Sequence, residues 1–344
     1  MKKNSGLIAH QEYSVRARHS VLCAVLCAVL VAFCVSAQAQ QTGKVHRIGF
    51  LSGGFPGPDH WTARLRAELQ KLGYVEDKNI GIEARFTENH FDRLPHLADE
   101  IVRLKPDVIV TGGINDARAA KNATKTIPIV GTSLGNPTAN GLVESLARPG
   151  GNLTGFTSIV DELAGKRLEL LKEIVSNLSR VGLLWNSLFP DSAQAAKLYQ
   201  TTAGELNLQL HSMEVTKAEM LEPAFKEAVK ARSGAVAMTA GAFLSARSNQ
   251  KKIAELAVKY RLPAISDRDG FVANGGLMSY GGDEAERFKR VAAMIDKIIK
   301  GAKPADIPVE QPAKFELVIN LKAAKQIELT IPQRVLTRAD KVIK

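Results

Sequence analysis

Cysteine is almost missing from this chain: the three present, Cys23, Cys27 and Cys34, sit together in one apolar run near the start. Everything after that run therefore lacks a thiol, which excludes a disulfide framework, a cysteine metal site and a thiol nucleophile there. Aromatic residues make up only 6% and do not alternate with clustered cations, so the footprint of a nucleic-acid binder is absent. Beyond residue 35 no stretch is long and apolar enough to span a bilayer. Neither a G-x-G-x-x-G loop nor a G-x-x-x-x-G-K-[ST] loop occurs, which removes the usual warrant for a nucleotide. No G-x-S-x-G elbow marks a serine nucleophile, and His90 and His96 lack a third ligand at helix-face spacing, which argues against zinc. No cofactor is expected. Low-complexity segments and short-period repeats are missing as well.

What is present begins with a leader. Arg16, Arg18 and His19 precede the apolar run Val21 to Val35, and Ala37-Gln38-Ala39 follows it. A basic start, an apolar centre and a small-residue site describe a secretory signal peptide over residues 1–39, cleaved before Gln40. A membrane anchor would need roughly 20 apolar residues. Lipidation would need small residues before a cysteine, and Phe33 stands before Cys34. A freely diffusing periplasmic protein is the resulting expectation. Losing the leader's four cations and one acid lowers the formal charge from +11 to +8, a mildly cationic surface with its Lys and Arg spread along the chain.

The remaining residues, about 305, exceed one compact core and suit two lobes. From Val45 onward, short strand-like runs alternate with helical patterns, the signature of parallel sheets with helices on both faces. The first series holds Ile48–Leu51, Ile80–Glu83, Val108–Val110, Ile127–Val130 and Leu153–Phe156. Between them, Leu65, Leu69 and Leu72 stop at Gly73, and Leu94, Leu97, Ile101 and Leu104 stop before Pro106. The second series opens with a long helix capped by Asp161, striped by Leu168, Leu171, Val175 and Leu178. Its strands are expected at Val181–Trp185, Leu206–Val215, Ala235–Met238, Pro263–Ile265 and Leu277–Tyr280. A helix with Phe288, Val291, Ile295 and Ile298 follows, and Phe315–Asn320 is expected as the final strand before a helical tail.

Eight segments then carry a resemblance: Arg47–Gly54 (RIGFLSGG), Leu72–Phe86, Arg93–Gly113, Ala119–Val130, Gly141–Ser158 (GLVESLARPGGNLTGFTS), Gly165–Val175, Gly275–Gly281 (GGLMSYG) and Lys300–Lys325. Together they resemble the ABC transporter substrate-binding family that includes tryptophan- and tyrosine-binding proteins. That resemblance implies a type I periplasmic-binding fold: α/β, two doubly wound parallel-sheet lobes joined by a three-segment hinge. Crossings are expected near Thr157-Ser158, Tyr280-Gly281 and Pro308 to Phe315. They give an N-terminal lobe of 44–157 plus 281–308 and a C-terminal lobe of 158–280 plus 309–344. The implied partners are a small organic ligand, an amino acid and by family an aromatic one, and a membrane permease.

In open parallel sheets, ligands sit outside the carboxyl ends of the strands. In the first lobe those ends are Ser52-Gly53-Gly54, Thr111-Gly112-Gly113 and Thr132-Ser133; in the second, Trp185-Asn186, Thr239-Ala240-Gly241 and Ser266-Asp267. Glycine admits a close backbone approach, a hydroxyl donates and accepts, and a helix amino terminus suits a carboxylate. The same residues are also common in turns and caps. Asp267 reads either as the partner of a ligand ammonium or as a helix cap. Trp185 reads either as a stacking surface or as core, with Asn186 pointing the other way as the polar contact.

The expected role is thus a non-enzymatic, monomeric solute-binding protein. Two other classes share these features: a ligand-sensing partner of a membrane sensor, and an exported hydrolase or sugar-processing enzyme. Recovery of ligand intact separates binding from turnover.

Overall fold

In a computed structural model the described residues are 44–54, 61–88, 90–157 and 163–344. The expected signal peptide and its cleavage site, the Asp161 cap and Ser158 lie outside them. Among the described residues no helix is long and apolar enough to cross a membrane.

The first sheet has five parallel strands, β1 (His46–Ser52), β2 (Ile80–Phe86), β3 (Val108–Thr111), β4 (Ile129–Gly131) and β5 (Leu153–Gly155), in the order β2-β1-β3-β4-β5. Helices α1 (Trp61–Lys71), α2 (Leu94–Arg103) and α3 (Ile114–Ala123) make the connections. Strand residues buried on both faces explain the continuous apolar runs in the sequence. One face packs Ile48, Phe50, Val108 and Val110 against Leu65 and Leu69 of α1; the other packs Leu51, Ile109 and Ile129 against Leu94 and Ile101 of α2 and Ile114 and Ala117 of α3.

The second series runs α4 (Ala164–Ile174), β6 (Arg180–Trp185), α5 (Pro190–Glu205), β7 (Gln209–Glu214), α6 (Leu221–Lys230), β8 (Ala235–Met238), α7 (Ala242–Ser245), α8 (Arg247–Lys259), β9 (Ala264–Ser266), α9 (Asp269–Ala273) and β10 (Met278–Gly282). Next come α10 (Glu284–Ile299), β11 (Phe315–Asn320), α11 (Leu321–Gln326), α12 (Gln333–Leu336) and β12 (Lys341–Ile343). The second sheet is ordered β12-β11-β10-β9-β8-β6-β7.

Helix α10 follows a strand of the second sheet yet buries Phe288, Val291 and Ile295 in the core of the first. The chain therefore crosses between sheets after β5, after β10 and before β11. The crossings are tied laterally: Thr157 N donates to Glu310 O at 2.8 Å, Glu310 N to Gly155 O at 2.9 Å, and Asp283 N to Lys314 O at 3.3 Å. Two α/β lobes with three linking segments are the result.

Several expected details differ. Strand β11 runs antiparallel to β10, because the chain leaves β10 at the hinge end and re-enters the sheet at that same end. It is not the last strand, since β12 pairs parallel to it. Helix α4 is shorter than its stripe: Val175 caps it in extended conformation and Leu178 lies beyond, although both still pack on the same core. The strand expected from Leu206 begins at Gln209; Leu206 caps α5, and Asn207, at φ 53°, sits in the left-handed region that ends the helix.

Candidate functional site

Strands β1 to β5 of the first sheet and β6 to β10 of the second carry their carboxyl ends towards the hinge, because β5 and β10 run directly into crossing segments, whereas β11 and β12 run the opposite way. The loops that follow those ends thus form the two walls of a cleft. Contacts between the walls are direct: the Phe91 ring, just before α2, lies 5.9 Å from the Phe189 ring, which caps α5.

On the first wall the two glycine pairs are fastened to one buried carboxylate. Asp116 accepts from Gly53 N through Oδ1 at 3.1 Å and from Gly113 N through Oδ2 at 2.8 Å. Gly112 N donates to Leu51 O and Gly54 N to the Ser52 hydroxyl. Thr132 donates its hydroxyl to Gly112 O at 3.0 Å, while Ser133 is half-buried. The amides of Gly53, Gly54, Gly112 and Gly113 therefore hold the wall together. Gly53 also makes room for a side chain: a Cβ there would lie 2.5 Å from Phe91 Cε1. Two polar atoms at this end of β3 and α3 are buried without a protein hydrogen-bond partner, Thr111 Oγ1 and Asn115 Nδ2.

On the second wall Asn186, 1% exposed, accepts from Leu188 N through Oδ1 at 2.9 Å and leaves Nδ2 unpartnered. Its backbone N–H donates to Ser192 Oγ, which shares a 2.7 Å hydrogen bond with Thr239 Oγ1. Trp185 is half-buried, with its indole N–H given to Ser212 Oγ on β7 at 2.8 Å. Ala240 is half-buried, and Gly241 lies under the Phe189 ring, where a Cβ would come to 3.5 Å of Cδ1. Ser266 Oγ donates to Asp267 Oδ1 at 3.3 Å, and Asp267 Oδ2 pairs with Arg268 Nε at 3.3 Å.

The floor is ionic. Glu284, in the first turn of α10, is met by Arg64 of α1 at 2.7 Å and by Arg268 and Arg287 at 2.5 Å each. Burial pushes this carboxyl up, but Arg287, Arg268 and Arg64 outweigh it and hold the pKa at about 2. Burial brings Arg287 down to about 10, against the attraction of Glu284. Two spaces adjoin this cluster. A hinge cavity lined by Phe156, Thr157, Asp267 and Phe315 leaves about 30 Å³ open to the centre of a water molecule, room for a few waters at roughly 10–15 Å³ each. A groove open to solvent lies between Arg64 on one side and Ser245, Arg247, Gln250 and Asn274 on the other. Among the described residues no cluster of three His, Cys, Asp or Glu could hold a metal.

Asp116, Phe91, Phe189 and the Glu284 cluster were not among the residues expected from sequence, and Thr157 was expected only as part of a crossing. Only Asp116 carried a local signal, its place three residues after Gly113, as in a capping box.

The chain is similar to known proteins over most of its length. A tyrosine-binding protein of Clostridioides difficile is 26% identical over 261 residues, 76% of this chain and 74% of the relative. A crystal structure of a conserved domain protein from Vibrio cholerae matches with a TM-score of 0.77 at 26% identity, covering 87% of this chain and all of that one. A Streptococcus protein solved in complex with L-Trp matches at TM-score 0.74 and 24% identity, over 87% and 99% of the two chains, which shows the shared fold. The family model described as ABC transporter substrate binding protein matches residues 54–343. With that model spanning both lobes and the cleft between them, the chain belongs to the ABC transporter substrate-binding protein family.

Proposed function

We propose that this protein is the monomeric, non-catalytic solute receptor of an ABC importer, working in the periplasm after removal of residues 1–39 and delivering an aromatic amino acid to a membrane permease. The lobes are those built on the two sheets, exchanging within a few residues of 157, 281 and 308. Ligand contacts both walls only when the lobes are together, so it favours the closed state that a permease recognises.

One observation carries this reading. Buried polar atoms without protein hydrogen-bond partners stand at strand ends on both walls and at the crossing between them: Thr111 Oγ1, Asn186 Nδ2 and Thr157 Oγ1, in residues 0%, 1% and 2% exposed. Each such atom costs about 1–3 kcal/mol when left unmade, and a ligand with polar ends between aromatic plates would satisfy them. Support also comes from the relatives' ligands, tyrosine and L-Trp. Asp267 is the carboxylate placed for the ammonium, sharing its charge with Arg268.

A thermal-shift screen of the purified protein against the amino acids, aromatic acids and small organic anions tests this. An aromatic amino acid should raise the melting temperature, by about 2.7 kcal/mol of stabilisation at a hundredfold excess over Kd, and be recovered intact. Conversion of the compound, or scattering profiles that show no compaction with a bound compound, would overturn the proposal.

A further inference from the structure

The contact between Phe91 and Phe189 joins residues from opposite lobes. Phe91 is half-buried and packs partly on the first lobe's core. Phe189 is half-buried too, but it is not among the residues packed into either core of the second lobe. Its ring meets that of Phe91, at 5.9 Å between centroids and 47° between planes. Each ring stands over a glycine at a strand end, Phe91 over Gly53 and Phe189 over Gly241, so the cleft face of each wall at this point is a flat aromatic surface with no Cβ behind it. A large apolar ring kept half-exposed at a seam between two lobes is costly to leave in water, and a planar occupant covered by both rings would remove that exposure.

We propose that Phe91 and Phe189 are the two plates of a clamp that takes a planar ring of the ligand between the lobes. This rests on the reading of the protein as a ligand-closing receptor and adds which part of the ligand is recognised, and by what. A ring inserted between parallel plates needs two stacking distances of about 3.5 Å each, hence plates about 7 Å apart. The present 5.9 Å falls short of that by only about 1 Å, so a small further opening and a levelling of the tilt admit the ring. The clamp is blind to substituents at the ring's edge, and the polar atoms at the ends of β3 and β6 read those.

Titration calorimetry with L-tyrosine, L-phenylalanine, L-tryptophan, benzoate and L-leucine as probes decides it, on the wild type and on Phe91→Leu, Phe189→Leu and Phe189→Tyr. The leucine variants keep an apolar side chain but lose the ring; each should weaken the planar probes about tenfold or more while leaving the ligand-free melting temperature within a few degrees. Phe189→Tyr, which keeps the plate, should bind within about threefold of wild type. Unchanged affinity of a bound planar probe in both leucine variants overturns the clamp and leaves the receptor reading standing. Wild type that binds leucine but none of the planar probes does the same; wild type that binds no small molecule at all overturns both.

Discussion

Arg268 and Glu284 join the two lobes beside the hinge: Nη1 of the arginine, in the loop after β9, lies 2.5 Å from Oε1 of the glutamate, in the first turn of the α10 helix that packs on the other sheet. Arg64 and Arg287 approach the same carboxylate. Three guanidiniums, drawn from α1, α10 and the second lobe, thus converge on one buried carboxylate, with Asp267 beside Arg268 and Asp269 3.9 Å from Arg64 adding further negative charge.

Glu284→Gln removes the charge and leaves buried arginines facing one another. Breaking a buried network from one side costs about 3–5 kcal/mol, and chemical denaturation should read that loss. Small-angle scattering should show the ligand-free variant more open than wild type, since the ionic tie between lobes is gone.

The same group sets an acid limit. Its folded pKa, about 2, lies below the ordinary 4.5, so its stabilisation is complete above pH 4.5 and disappears as pH falls from there towards 2. At about 1.36 kcal/mol per unit the contribution is roughly 3 kcal/mol. Wild-type stability should drop through that window, and Glu284→Gln should drop less steeply; identical slopes would remove Glu284 from the account.

Asp116→Ala strips the acceptor from Gly53 N and Gly113 N together. Two buried amides left without partners should cost about 2–5 kcal/mol. Because the same carboxylate positions both strand-end loops, ligand affinity should fall as well. Asp116→Asn keeps one acceptor oxygen and should lie between.

Gly281→Ala puts a Cβ 1.9 Å from the backbone oxygen of Asp267. Backbone cannot swing aside as a side-chain tip can, so β10 and the β9 loop must separate. A loss at or above the usual overpacking range of about 1–3 kcal/mol is expected, with weaker ligand binding because Asp267 moves. Gly73→Ala, at a φ of 90° with nothing within 4 Å of its Cβ, is the strain-only control, costing about 1 kcal/mol.

Much of this architecture was written locally. Alternation of short apolar runs with helical stripes located the central strands, because β1, β3, β4, β5, β6, β8 and β9 are buried along most of their length, whereas β12, half-buried at the sheet edge, stood in what was expected to be a helical tail. Of the strand-end residues named from sequence, Asp267 lines the hinge cavity. Boundaries shifted where one residue's backbone decided them: Asn207, in the left-handed region, ends α5, and β7 begins at Gln209, three residues after the expected Leu206.

The amino-acid sequence by itself determined the order of elements, the two successive α/β series, the family, and which loops follow strand ends, since all of these depend on neighbours within a few turns of chain. Only the tertiary structure decided that Asp116 occupies the glycine amides, that Glu284 gathers three arginines and that Phe91 meets Phe189. These contacts reach residues as far as 220 positions apart, as with Arg64 and Glu284, and the meeting of Phe91 with Phe189 exists because two lobes face each other. Periodicity cannot encode a meeting across a gap; the geometry of closure does.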